Sequence, residues 1–421
     1  MITSAGYHPG LNLNQIMHNE WQRLAVWTGA LVVVSMLQSF AQSGQEPATF
    51  LLDGAVLKAN KEKIRQGDPA MVAARQSLLS TADQILTKPA HSVVEKSKTP
   101  PSGDKHDYMS VGPYWWPDPT KPNGLPYIRK DGQVNPERMA IQDNAYLNEL
   151  CSQVQTLAVA YYFSDNETYA RRATDLLRGW FLNPQTRMNP NLNYGQAIPG
   201  ITDGRGIGLI DTRGLAEVVD AVQLLKSSKT WPQNDQVALQ AWFRQFLNWM
   251  LTSPVGKDEE DEHNNHGTYY DFQTLAFALF VDDKPLARQI IEKKTYGRIQ
   301  SQLKADGSQP HELARTLSWN YSVMNLKGFF GLAALAEKVN IDLWNYETPD
   351  GKSIKKAYLW LLPYAENQKP WEHKQIKELH REEFWPVVAV AETKYGRSGD
   401  TENRPAASVN DPFFVLTHSL F

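Results

Sequence analysis

Three stretches of this 421-residue sequence carry residue types that do chemistry. The first is His263-Asn264-Asn265-His266-Gly267-Thr268-Tyr269-Tyr270-Asp271, which follows the acidic run Asp258 to Glu262 and opens an apolar helical pattern. An amide and an imidazole at a helix start can point into a cleft; the plainer alternative is a capped helix with one satisfied histidine. The second runs from Asp306 through Glu312-Leu313-Ala314-Arg315 to Trp319-Asn320-Tyr321. Arg315 and Tyr321 span the start of an apolar helix, the alternative being a surface arginine paired with Glu312 beside a core tyrosine. The third is Tyr108-Met109-Ser110-Val111-Gly112-Pro113-Tyr114-Trp115-Trp116-Pro117-Asp118-Pro119. Adjacent tryptophans between prolines suit a wall on which sugar rings stack, or a plug beneath a loop.

These residues need helices to hold them. Apolar residues recur near the helical period over Ala70–Thr87, Asp143–Phe163, Glu167–Leu182, Thr212–Leu225, Asp235–Leu251, Thr268–Phe280, Lys284–Leu303, Tyr321–Val339, Ile354–Tyr364 and Ile376–Lys394. Ser164-Asp165-Asn166 reads as a turn and N-cap. Strand signals are few and no fixed-period repeat is present, so the pattern predicts an all-α fold, an α/α toroid or incomplete barrel of antiparallel helix pairs. Two long segments do not read as helix: Ser97 to Pro136, rich in Pro, Gly, Trp and Tyr, and Asn183 to Gly208, rich in Asn and Gly. Long loops of this composition are expected to line a cleft. The second supplies Tyr194, Gln196 and Arg205, with Arg205 able to pair with a carboxylate. Arg213, at the next helix start, is expected to pair with Asp211 or Glu217. His380 and Arg381 are further binding candidates.

The combination of Tyr114-Trp115-Trp116-Pro117-Asp118-Pro119, Asn265-His266 and Glu312-Leu313-Ala314-Arg315 with Tyr321 resembles the alginate lyase superfamily, polysaccharide lyase families 5 and 38. The resemblance covers about Ala70 to Lys394. The interval from Arg315 to Tyr321 is one residue shorter than in family 5, which favours the family 38 side and keeps Tyr269 and Tyr270 as competing tyrosines. The resemblance implies an α/α toroid with a deep cleft, β-elimination on a 1,4-linked polyuronate such as alginate or glucuronan, and Asn265, His266, Arg315 and Tyr321 as the catalytic set. Tyr108, Tyr114, Trp115, Trp116, Tyr194, Gln196, Arg205, His380 and Arg381 are then the candidates for binding an anionic chain.

Those residue types suit that reaction. Elimination takes the C5 proton of a uronate and expels the oxygen at C4. The adjacent carboxylate must first be neutralised, which the Asn265 amide and the planar Arg315 guanidinium can do. In mannuronate and glucuronate the C5 hydrogen and O4 share a face, so one tyrosine, Tyr321, can serve as base and then acid. An ordinary phenol pKa near 10 is too high for a base at neutral pH, and Arg315 and His266 are expected to favour the phenolate. Guluronate places the two groups on opposite faces and needs a second residue, for which His266 is the natural choice.

The bulk properties fit. Hydrophobic residues make up 42% and charged residues 21%, enough for a sizeable core. A net charge of -3 gives no general attraction to nucleic acid, so positive charge for a polyanion must be local. Arg23, the apolar run Leu24–Leu37 and Ser39-Phe40-Ala41 read as a secretory signal cleaved after Ala41. Residues 1–41 are thus leader and 42–421 one lyase domain, periplasmic or secreted, without a stable membrane anchor. Cys151 stands alone, which rules out an intrachain disulfide. His-Glu-x-x-His, Gly-x-Ser-x-Gly, the P-loop and the dinucleotide fingerprint are missing, and no metal or cofactor is implied. His263 and His266 beside the acidic run could hold a cation, but a solvated acidic loop is the reading preferred. Two other readings compete: an α/α-barrel glycoside hydrolase drawing two acids from Asp118, Asp143, Asp211 and Asp271, and a polyuronate-binding protein without turnover.

Overall fold

Amphipathic helices account for most of the chain, in the order α1 (Gly54–Arg65), α2 (Pro69–Leu86), α3 (Asp143–Ser164), α4 (Glu167–Leu177), α5 (Leu215–Leu225), α6 (Gln233–Thr252), α7 (Pro254–Glu260), α8 (Asn265–Phe280), α9 (Lys284–Ile290), α10 (Tyr296–Gln302), α11 (Pro310–Leu313), α12 (Ser318–Glu337), α13 (Ile354–Ala365), α14 (Trp385–Tyr395) and α15 (Pro412–Thr417). The computed structural model describes residues 1–2, 46–397 and 411–418. A short N-terminal unit ends at Glu46, and the helices belong to the unit that starts at Pro47. The apolar run Leu24–Leu37 and the cleavage site after Ala41 lie outside the described residues. Among those described, no helix is long and apolar enough to cross a membrane.

The helices form an all-α toroid. Neighbours in sequence pack on one another, α2 on α3, α3 on α4 and α12 on α13, while α8 meets α5, α6, α9 and α12. Helix α8 is buried almost all round, a helix inside the core rather than on its surface. Its Phe277 and Phe280 lock into Phe243, and Phe277 also meets Phe246. Truncating a ring such as Phe277 to alanine should cost about 3–5 kcal/mol. Gly331 on α12 lets α8 come close: a Cβ there would sit 2.4 Å from the Phe272 ring. That approach sets the helix carrying Tyr321 against the helix carrying His266.

Helix starts are fixed locally. Asp53, Ser253, Asn264, Asp283 and Ser353 accept backbone N–H groups at the first turns of α1, α7, α8, α9 and α13. Helix α12 lacks such a cap and borrows one: Ser318 N donates to Lys374 O and Trp319 N to Gln375 Oε1. The stretches expected as Glu167–Leu182 and Lys284–Leu303 each contain a π-helical turn, Arg178–Leu182 and Ile291–Thr295.

Two expectations change, and one helix lies outside those expected. Helix α1 is too polar to register as an apolar period. The acidic run is no solvated loop, because Asp258 to Glu260 close helix α7 and Glu259 is buried. The helix expected at Ile376–Lys394 begins only at Trp385, after a 3-10 turn at Arg381–Phe384. Gln375 is held in a bridge to Leu317, and Pro386 occupies the first turn of α14.

The two long loops carry short strands. β1 (Met109–Val111) pairs in parallel with β4 (Tyr194–Ala197), joining the loops to each other. β2 (Trp115–Trp116) and β3 (Ile128–Arg129) form an antiparallel hairpin in the first loop, with Trp115 opposite Arg129. Lys96 and Asp143 form a fully buried ion pair at 2.9 Å beneath this loop, and Asp143 also accepts from Met109 N.

Candidate active site

Asn265 opens α8 and is buried. Its backbone N and its Nδ2 both donate to the Glu312 carboxylate, at 2.6 and 2.9 Å. One Nδ2 hydrogen is thereby spent and the other is left to donate. Burial pushes the Glu312 carboxyl above its ordinary range, against the two Asn265 bonds that pull it down. A buried amide network ties this corner to α12: Gln302 Oε1 accepts from Thr268 and Asn325, and Asn325 also donates to Gln309.

His266 follows, half-buried, its backbone N capped by Asn264. Its Nδ1 lies 2.8 Å from Oε1 of Glu259, a carboxylate with no exposure at all. Burial alone would lower the imidazole pKa, but the charge and hydrogen bond of Glu259 outweigh it, and the net direction is up. Burial also pushes Glu259 up, to about 7, against the pull of His266. With Nδ1 engaged, Nε2 is the imidazole nitrogen available to a bound molecule.

Arg315 and Tyr321 flank the start of α12. The guanidinium lies 3.8 Å from the centroid of the Tyr321 ring, a cation–π contact. It does not pair with Glu312. Its partner is Asp131 from the first loop, which accepts from Nη2 at 2.8 Å and Nε at 3.2 Å. Asp131 also accepts from Thr316 Oγ1 and from Arg129. Burial opposes the Asp131 charge, yet the Arg315 and Thr316 bonds hold its carboxyl far below the usual range. The Tyr321 hydroxyl lies 2.8 Å from that of Tyr114.

The expectation that Arg315 and His266 make Tyr321 a ready phenolate is corrected. Burial dominates and holds Tyr321 well above the ordinary phenol value; Arg315 pulls down, while Tyr114 pushes further up. Burial thus favours the phenol form of Tyr321.

In the second loop Arg205 donates Nε to Gln196 O and Nη2 to Gln196 Oε1, with its guanidinium 5.8 Å from the Trp115 ring. Gly112 leaves room for this: a Cβ there would lie 2.7 Å from Trp115 and 3.0 Å from Arg205. Trp116 donates Nε1 to Gln133 O and lies under Lys130. Trp115, Trp116, Tyr114 and Tyr194 are half-buried, so each keeps an accessible part.

The matching family model is "Alginate lyase", over residues 92–371. A crystal structure of an alginate lyase from Bacteroides ovatus is 39% identical with a TM-score of 0.80, covering 89% of this chain and 96% of that one. The chain belongs to the alginate lyase family. Two further solved structures share the fold at lower identity. One is a histidine-to-alanine variant of alginate lyase A1-III complexed with tetrasaccharide, 16% identical, TM-score 0.59, covering 90% of this chain and 97% of that one. The other is alginate lyase A1-III from Sphingomonas species A1, 15% identical, TM-score 0.54, covering 83% and 94%. No curated protein matches. The protein is thus a polysaccharide lyase of the polyuronate-cleaving kind.

Neither competing reading finds support. None of the four acids stands free for a hydrolase pair: Asp118 accepts from Thr120, Asp143 from Lys96, Asp211 from Tyr108, and Asp271 from Arg298. The alginate lyase family match counts against a protein that only binds.

Several expected contact residues are corrected. Tyr108 has no exposure and donates to Asp211, so it cannot stack on a sugar. Gln196 is buried and bound to Asp211 and Arg205, which makes it a holder rather than a direct contact. His380 is exposed and paired with Glu382, its carbonyl accepting from Trp319 Nε1, and Arg381 donates to Tyr364 O. Arg213 donates to Ile210 O instead of forming the expected close ion pair. Of the competing tyrosines, Tyr270 is buried and donates to Met250 O, while Tyr269 donates to Met324 O. Sequence reading missed Asp131 and Glu259. The local signal at Asp131 was Asp-Gly, which reads only as a turn.

Proposed function

We propose that this lyase cleaves 1,4-linked mannuronate or glucuronate residues, as in mannuronate-rich alginate or glucuronan, with Tyr321 as both base and acid. The observation that carries this is the placing of Tyr321: its ring lies under Arg315, its hydroxyl meets Tyr114, and its competitors are tied to backbone carbonyls. An ionised Tyr321 oxygen takes the C5 proton. The C5–H electron pair becomes the C4–C5 double bond, the C4–O4 bond breaks, and the proton returns from Tyr321 to O4. Asn265, with one amide hydrogen left, and His266, through Nε2, neutralise the uronate carboxylate. Arg315, its charge shared with Asp131, acts chiefly on the developing phenolate.

His266 paired with buried Glu259 is better placed to hold a proton than to remove one. That favours substrates whose C5 hydrogen and O4 share a face. Trp115, Trp116 and Tyr194 supply sugar-facing surface. Arg205, with no carboxylate in ion-pair range among the described residues, takes a uronate carboxylate at a neighbouring subsite. The lyase domain is taken as residues 42–421, secreted or periplasmic after cleavage at Ala41; N-terminal sequencing of the processed protein checks this.

The test is near-ultraviolet absorbance on polymannuronate, polyguluronate and polyglucuronate, with Tyr321→Phe alongside. A rise on polymannuronate or polyglucuronate, cut by roughly 100-fold or more in the variant, is expected. A rise that survives the substitution moves the base elsewhere. No rise on any polymer sinks the reading.

A further inference from the structure

Arg205 is held by a neutral partner, and that partner's orientation is dictated from behind. Gln196 is buried, with its backbone at φ 47, a left-handed conformation that β4 adopts nowhere else. Its Nε2 donates to Oδ1 of Asp211 at 3.0 Å, and its Oε1 accepts from Arg205. The other Asp211 oxygen accepts from Tyr108 at 2.9 Å and Ser110 at 2.7 Å. Ser110 Oγ in turn accepts from Gln196 N at 2.8 Å. Every bond has one polarity. An ionised carboxylate only accepts, so the amide must turn its NH2 toward Asp211 and its oxygen toward Arg205.

We propose that Asp211 is a positioning residue for substrate carboxylate recognition, acting through Gln196 on Arg205. The inference rests on the reading of Arg205 as a uronate subsite. A carboxylate placed directly on Arg205 would fix it equally well but would cancel its charge. Set back behind one amide, Asp211 fixes the guanidinium and leaves the charge for the substrate. With asparagine at 211, an NH2 can face Gln196. The Gln196 amide then turns over and presents its own NH2 to the guanidinium; Arg205 Nη2 loses its acceptor and Nε alone stays held, by the Gln196 carbonyl.

The experiment is steady-state kinetics on the polyuronate the wild type cleaves, with Asp211→Asn, Arg205→Ala and the double variant, each checked for folding by thermal melting. Asp211→Asn is expected to raise KM about tenfold while kcat stays within about twofold, the signature of lost binding outside the reacting centre. The double variant should match Arg205→Ala alone, because the effect of Asp211 travels through Arg205. A KM unchanged in Asp211→Asn beside a raised KM in Arg205→Ala overturns the relay and leaves the subsite standing. An unchanged KM in Arg205→Ala overturns the subsite and the relay together. Multiplying effects in the double variant show that Asp211 acts by some other route. Should Asp211→Asn fail to fold, Gln196→Met removes the same acceptor, and the same KM rise is required of it.

Discussion

The hydroxyl of Tyr114 lies 2.8 Å from the hydroxyl of Tyr321, joining the aromatic first loop to the helix that carries the proposed base. This bond and the charge of Tyr114 both push the Tyr321 pKa up, behind the larger effect of burial and against Arg315. Removing the partner hydroxyl must therefore lower it. In Tyr114→Phe the rising limb of kcat/KM against pH should move to lower pH, with Tm nearly unchanged. A limb that stays in place would mean that Tyr321 does not set it.

The same burial governs the wild-type profile. Tyr321 is a phenol at neutral pH, and only its ionised form takes the C5 proton. Activity should climb from about pH 7 to 9 without a plateau. A profile already flat at neutral pH would assign the base to a group of lower pKa, His266 first.

Asp131 holds Arg315 over the Tyr321 ring from a distant loop. Asp131→Asn should lower kcat about tenfold or more and cost about 2 kcal/mol of stability, the worth of a charge-assisted bond. The pH dependence has a definite sign. The folded-state pKa of Asp131 is depressed, so its stabilisation is present above the unfolded value, roughly 3.9, and is lost as pH falls through the folded one. The Tm gap between wild type and variant should hold down to about pH 5 and shrink progressively below it; a gap that stays constant under acid would refute the ionic role.

Glu259 keeps the His266 pKa high despite burial. In Glu259→Gln the neutral amide still accepts from Nδ1 but contributes no charge. The His266 titration, followed by NMR of the imidazole Cε1–H signal, should then shift to lower pH, with activity falling first toward neutral and alkaline pH, where the imidazolium is lost. An unmoved titration would assign His266 its proton from another source.

Lys96 and Asp143 are fully buried together under the first loop, and burial pushes Asp143 up to about 6 against the pull of Lys96. Lys96 also donates to the carbonyl oxygens of Val93 and Lys105. Lys96→Met leaves those acceptors and Asp143 unpaired and should cost about 3–5 kcal/mol by urea unfolding. A loss under about 1 kcal/mol would show that Asp143 simply takes up a proton in the variant.

Local sequence determined what local forces decide. Apolar periods marked most of the helices because one face of each must be buried, and Asn264 and the residues after it marked the start of α8 because a short polar side chain caps a first turn. The stretches holding Asn265, His266, Arg315 and Tyr321 stood out by residue type, their grouping as one set came from the resemblance to the alginate lyase superfamily, and the two long loops stood out by their Pro, Gly and Asn content. Tertiary structure decided the partners. Asp131 meets Arg315 across 184 positions and Tyr114 meets Tyr321 across 207. Nothing within a helical turn of either residue encodes such contacts; they exist only once the toroid brings the loops over α12. The same distance effect turned Tyr108 and Gln196 from expected sugar contacts into buried supports. A side chain's type is a local property, whereas whether it faces solvent or a carboxylate depends on segments packed against it from far along the chain.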